Sequence, residues 1–361
     1  MRKLHINFAK PGDIIAKPIY MENGSVLLGA GVTLSERFID RLRSMGIDYL
    51  FIDDPHTSDL VPEDIIRDDT RKKALESIHK TMSNLIDHPL SGNKSSTQTN
   101  LGASFRRVFT EIMSDLMSRR NVLVNLTNLH SMDGYLYHHS VNVAVLSGIV
   151  GMARGYNQNQ LAELGVGALL FDIGMTQLPK ELIFKKGPLS DQESEAIRKH
   201  TQLGFDLLRK QADISLMSAH CALQHHERFD GSGYPRELRS GSIHEYAQIV
   251  AIADVYDALT SPRSYRNRYM PNEAIEFLFA AGNRYFDVEL IRLFCKHISI
   301  YPISSTVQLS SGQVGVVSAI NPVAVHRPVI RVIQEIEGKP VSSPYEIDLN
   351  KEYTLTIVKT L

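Results

Sequence analysis

His225-His226-Glu227-Arg228-Phe229-Asp230-Gly231-Ser232-Gly233-Tyr234-Pro235 is the stretch on which the reading of this chain turns. Its second half has an ordinary structural meaning: Asp-Gly-Ser-Gly is turn material, and Tyr-Pro leaves the turn as extended chain. Its first half sets two imidazoles and a carboxylate directly ahead of that turn. Further out, similar residues stand on or at the end of apolar, helix-like segments. They are His139 followed by Ser140, Asp172 in Leu169-Leu170-Phe171-Asp172-Ile173-Gly174, His200, and Asp254 in Ile252-Ala253-Asp254-Val255-Tyr256-Asp257. A lone histidine on such a face is usually a hydrogen-bonded core residue. Together, His139, His200, His225, His226, Asp172 and Asp254 supply imidazoles and carboxylates, a donor set that iron or manganese accepts. Spacing alone does not bring them to one place.

The flanking sequence sorts into four segments. Residues 1–55 alternate short β-like runs with turns and read as a small α+β module. Ile14–Tyr20 and Ser25–Leu28 form a hairpin about Asn23-Gly24, a helix runs from Thr33 or Ser35 to Met45, and Tyr49–Ile52 returns as a strand. Residues 63–125 read as a helical hairpin or linker, interrupted near 89–100 by a polar, turn-rich segment expected to be mobile. Residues 126–300 continue the helical pattern. In 301–361 the β-branched residues return, with a turn at Ser310–Gln313 and a further strand expected over Tyr353–Val358. The fold class expected is therefore mainly α, a helical bundle with a small N-terminal α+β module and a β-rich C-terminal extension.

The bulk composition narrows the function classes. A chain of 361 residues suits two or three domains, and 43% hydrophobic with 22% charged residues is enough to bury a core. The formal net charge of -1 gives no overall basic field for a nucleic acid polymer or an anionic membrane. Cys221 and Cys295 are far apart in sequence and read as two reduced, buried thiols. No apolar run follows Arg2-Lys3 to make a signal peptide, and the stretch Val141–Ala153 is too short to span a bilayer. The expected location is the cytoplasm.

The whole string from His225 to Pro235 resembles the HHE-x-x-DGxGYP signature of the HD-GYP family, a branch of the HD metal-dependent phosphohydrolases. The surrounding blocks agree in order. Asp133–Ser140 resembles the helix of the first ligand, Leu189–Glu193 and His200–Gly204 the next block, and Ile249–Ser261 with Arg263-Ser264-Tyr265-Arg266 the block after the signature. The resemblance covers about residues 125–300. The β-rich tail and the N-terminal module also look like extensions that members carry.

The resemblance implies a phosphodiesterase that hydrolyses cyclic di-GMP to pGpG or GMP. A five-helix core would hold two divalent metal ions, iron or manganese, which lower the pKa of bound water and stabilise charge on the phosphoryl oxygens. The metal ligands implied are His139, Asp172, His200, His225, His226 and Asp254, with Asp172 as the catalytic bridge. Gly233, Tyr234 and Pro235 would shape the substrate pocket, and Arg263 and Arg266 would hold phosphate oxygens. The plain reading of those two arginines is a solvated helix end.

Two positions depart from the pattern. Where the family reads Leu-His-Asp-Ile-Gly-Lys, this chain has Leu170-Phe171-Asp172-Ile173-Gly174-Met175. Phe171 offers no ligand atom, and Met175 removes a positive charge. Tyr135 stands where third-metal members carry glutamate, so no three-metal site is expected. His138 points about 100° away from His139 on a helix, and His130 lies about 13 Å up the axis, so neither rescues the lost ligand. The position of Asp172, His200, His225 and His226 keeps its ligands, while the one of His139, Asp172 and Asp254 is weakened or empty.

Two function classes follow. One is a metal-dependent cyclic di-GMP phosphodiesterase with weakened activity. The other is a catalytically inactive domain that senses cyclic di-GMP or docks a protein such as a diguanylate cyclase of the GGDEF type. A helical core with an N-terminal hairpin is also compatible with a homodimer.

Overall fold

The computed structural model describes residues 1–20, 26–60, 66–87, 100–118, 135–183, 185, 187–261, 269–298, 301–321 and 324–361. Its contacts group into two compact units. One contains Met1–Asp64 and Ile298–Leu361, and the other Ile65–Val122 and Tyr135–His297.

In the first unit, β1 (Arg2–His5) pairs antiparallel with β4 (Tyr49–Ile52), and β2 (Ile19–Tyr20) with β3 (Val26–Leu28). The β2–β3 pairing matches the expected hairpin only over Ile19–Tyr20, because Ile14 bridges to Thr33 and Ile15 to Ile52, and the turn lies outside the described residues. Between β3 and β4, α1 (Glu36–Ser44) begins where the Phe38 N–H donates to Ser35 Oγ at 3.3 Å. It buries Ile39 and Leu42 against Leu4, Ile15, Ile19 and Leu50. Gly46 follows the helix with φ +73°, a left-handed conformation that costs glycine little.

The C-terminal strands β5 (Thr306–Leu309), β6 (Val314–Ala319), β7 (Val329–Gln334), β8 (Pro340–Asp348) and β9 (Ile357–Thr360) form one antiparallel sheet in the order β8-β7-β6-β5-β9. Val307, Leu309, Val317, Ile330 and Leu349 make its core. The last strand begins at Ile357 rather than at Tyr353, and the reason is a side chain from the segment ahead of β7. The Arg327 guanidinium donates to the carbonyls of Leu349, Glu352 and Leu355, holding that segment in turns, and stands over the exposed Tyr353 ring.

The second unit is helical. Its elements are α2 (Asp68–Asp87), α3 (Leu101–Met117), α4 (Tyr135–Arg154), α5 (Gln158–Leu170), α6 (Lys180–Ile183), α7 (Asp191–Arg198), α8 (His200–Leu208), α9 (Leu216–Gln224), α10 (Glu245–Thr260), α11 (Pro271–Ala280) and α12 (Val288–Cys295). The apolar stretch singled out in the sequence is the middle of α4, where every residue from His139 to Val150 is buried. A helix apolar on all sides belongs in a core, and α4 packs against α2, α5 and α10. The described helices of the 63–125 segment join this unit, α2 against α4 and α3 against α5. Among the described residues, no helix is long and apolar enough to cross a membrane. The segment near 89–99 lies outside the described residues.

Local signals set the helix ends next to the site. Asn157 and Gln160 form a reciprocal capping box at the start of α5, and Ser190 and Glu193 form another at α7. At its other end α5 stops at Phe171, and Asp172 leads into a 3-10 turn over Ile173–Gln177.

Candidate metal centre

That turn lies directly on the start of α8. A Cβ on Gly174 would stand 1.9 Å from the His200 carbonyl oxygen, so only glycine permits the approach. The approach brings Asp172 Oδ1 to 3.4 Å from His200 Nε2 and 3.5 Å from His225 Nε2. His200 opens α8, while His225 caps α9 and His226 follows it. The ligand atoms of His200, His225 and His226 all lie within 4.8 Å of one another.

The second ring nitrogens explain what this cluster can hold. His200 Nδ1 is 2.6 Å from the Ile197 carbonyl, and His225 Nδ1 is 2.9 Å from the Cys221 carbonyl. A carbonyl only accepts, so both protons sit on Nδ1 in the neutral rings. Both Nε2 atoms are then bare acceptors, 3.2 Å apart and facing the Asp172 carboxylate. Converging buried acceptors are unfavourable unless a cation lies among them. Burial disfavours a proton on His200 and, further, on His226. Burial also opposes charge on Asp172, so its carboxylate too is served by a cation beside it. A nitrogen-rich set with one carboxylate fits a divalent first-row metal.

His139 and Asp254 form a separate pole. His139 Nε2 is 2.9 Å from Asp254 Oδ1, and its Nδ1 is 2.7 Å from Asp257 Oδ2. Asp257 also accepts from Asn142 Nδ2 at 2.9 Å and from Ser261 Oγ at 3.3 Å. Burial opposes a charge on this imidazole, yet the two carboxylates prevail and raise it to about 10. Asp257 is a residue the sequence reading passed over. Its spacing from Asp254, three positions along α10, was the available signal, since such residues share a helix face.

Phe171 stands beside both poles. Fully buried, its ring meets His139 edge-on with centroids 5.6 Å apart and His225 edge-on at 5.0 Å. Met175, half-buried, places no charge here. His138 is near Arg71 of α2, and burial followed by that arginine lowers its pKa to about 4.

The signature loop is fastened to the same histidines. A Cβ on Gly233 would lie 2.4 Å from both the His226 carbonyl oxygen and the Arg228 amide. The Tyr234 N–H donates to the His226 carbonyl, and the Tyr234 ring stacks on the His226 ring with centroids 4.7 Å apart. The Tyr234-Pro235 peptide is cis, and Pro235 is exposed. Two further residues escaped the sequence reading. The buried carboxylate of Glu227 accepts from the Arg236 and Leu238 amides at 2.8 and 3.0 Å. The Arg228 guanidinium donates to the His225 and Glu227 carbonyls and lies over Phe286. Arg198 of α7 stands over the Tyr234 ring at 5.2 Å. Arg263 and Arg266 lie outside the described residues.

Comparison with known proteins gives two family matches. Residues 112–290 match the HD domain family, and residues 306–361 match a KOW domain associated with HD domain. A cyclic di-GMP phosphodiesterase of Pseudomonas aeruginosa is 34% identical over 243 residues, covering 67% of this chain and 58% of that protein. A cyclic di-GMP phosphodiesterase of Thermotoga maritima is 34% identical over 189 residues, covering 52% of this chain and 51% of that protein. The chain thus spans little more than half the length of these curated relatives. Among solved structures, an HDG"Y"P protein of Bdellovibrio bacteriovorus matches with a TM-score of 0.48 at 18% identity, covering 81% of this chain and 97% of that one.

Proposed function

The chain belongs to the HD-GYP family, and from that premise we propose that it is a metal-dependent phosphodiesterase acting on cyclic di-GMP, with weakened turnover. The observation that carries this reading is the convergence of His200, His225 and His226 with the Asp172 carboxylate. A divalent iron or manganese ion held there would supply Lewis-acid polarisation of water and phosphoryl oxygen. The protein's own part is positional. The Ile197 and Cys221 carbonyls hold two imidazoles with Nε2 turned inward, and Gly174 sets Asp172 against them. Glu227 and Arg228 fix the loop that presents Tyr234 beside His226. Arg263 and Arg266 complete the reading as phosphate contacts, and the product is pGpG or GMP. The protein works in the cytoplasm, with its nucleotide.

Phe171 and Met175 favour a second reading, a domain that binds cyclic di-GMP without cutting it. In that form the chain would signal through a docked protein, such as a diguanylate cyclase or a second copy of itself. Manganese-loaded protein and its His225→Ala variant, incubated with cyclic di-GMP and resolved by chromatography, separate the readings. The enzyme gives linear product only with metal and loses it in the variant. Tight nucleotide binding with no product supports the sensor, and neither binding nor product overturns both.

A further inference from the structure

The two poles of the site are not equivalent. Around His200 Nε2 and His225 Nε2 stand a third imidazole, His226, whose ligand atom is within 4.8 Å of theirs, and the Asp172 carboxylate, 3.4 and 3.5 Å from the two Nε2 atoms. His139 Nε2 finds Asp254 Oδ1 at 2.9 Å, and this pair lies outside the three-histidine group. Its other nitrogen is committed to Asp257, which Asn142 and Ser261 hold in turn.

The decisive feature is what occupies the remaining space. Phe171 has no solvent exposure and touches both the His139 and His225 rings edge-on. An ion beside His139 and Asp254 would need several further oxygen or nitrogen donors. On the Phe171 side it would meet aromatic carbon, which supplies no ligand atom and excludes the water that would replace one.

We propose that this chain holds a single metal ion, at His200, His225, His226 and Asp172, and that the pole of His139 and Asp254 stays metal-free. The proposal rests on the metal-binding part of the function proposed above. It describes a mononuclear centre in which His139, Asp254 and Asp257 form an internal hydrogen-bonded strut between α4 and α10.

The test is metal content and magnetic coupling. Full-length protein is loaded with manganese, freed of excess ion by gel filtration, and measured by elemental analysis and electron paramagnetic resonance. Thermal melts of each variant report whether it is folded. We expect one ion per chain with the spectrum of an isolated manganese ion. His226→Gln should weaken binding by more than about tenfold, and Asp254→Asn should leave one ion in place. Phe171→His should raise the capacity toward two. Two ions with a coupled spectrum in the native chain overturn the proposal while leaving the metal-dependent function standing. One ion lost on Asp254→Asn but kept on His226→Gln assigns the wrong pole and also overturns it. A folded chain that takes up no manganese overturns both this proposal and the metal-dependent function.

Discussion

The ring of Phe171 meets the ring of His225 edge-on, with centroids 5.0 Å apart and planes at 85°. The same ring stands at 72° to His139, so one apolar side chain packs against both histidines. Edge-to-face contact of this kind is favourable beyond area burial, and the ring is fully enclosed. Phe171→Ala is therefore expected to destabilise the metal-free protein by about 3–5 kcal/mol. Urea unfolding measures it, and a loss below about 1 kcal/mol would mean that the ring is not packed as described.

Gly174 sets a second expectation. With its Cβ 1.9 Å from the His200 carbonyl oxygen, Gly174→Ala must push the 3-10 turn off α8. We expect a loss of about 1–3 kcal/mol and, because Asp172 moves with the turn, weaker manganese binding. Calorimetric titration reads the second effect. Unchanged affinity in a destabilised variant would remove Asp172 from the metal site.

The strut between α4 and α10 makes a third. Asp257→Asn keeps the shape but replaces a carboxylate that accepts from His139, Asn142 and Ser261 by a neutral amide. A hydrogen bond to a charged group is worth about 1.5–3 kcal/mol, and the variant should lose about that much in urea unfolding. A neutral result would show that His139 is not held by Asp257.

Glu227 provides the fourth. Its buried carboxylate accepts two loop amides, those of Arg236 and Leu238, and Glu227→Gln removes the charge from both bonds and leaves one amide without an acceptor. Hydrogen exchange of these two amides should quicken by about tenfold or more, as the loss of about 1.5–3 kcal/mol of local stability requires. Metal affinity should change less than nucleotide affinity. Equal loss of both would make Glu227 a support of the histidines rather than of the loop.

Much of this arrangement was legible in the chain. The signature from His225 to Pro235 carries both ligand-type residues and the turn that follows, because glycine and proline spacing is written locally. The helix start at Thr33 or Ser35 could be read for the same reason, and the structure caps it with Ser35. The partners that come from distant segments could not. Asp257 matters because α10 lies against α4, and Glu227 matters because the chain folds back to it nine and eleven residues later. Likewise, the absence of a ligand at Phe171 was visible in the sequence, but its role as a ring between two imidazoles depends on α5 ending where α4 and α9 meet it. The strand placed too early at Tyr353 failed on a single long-range side chain, Arg327, which takes the carbonyls that segment would have offered.

The most direct test of the account is a single-turnover experiment. Protein loaded anaerobically with iron or manganese, in excess over labelled cyclic di-GMP, is quenched over time beside His225→Ala and the Phe171→His/Met175→Lys double variant. The account predicts slow, metal-dependent cleavage by the native chain, none by His225→Ala, and faster cleavage by the double variant. Nucleotide that stays bound and uncut in the native chain, while the double variant cleaves it, would contradict the enzyme reading and leave a sensor in its place.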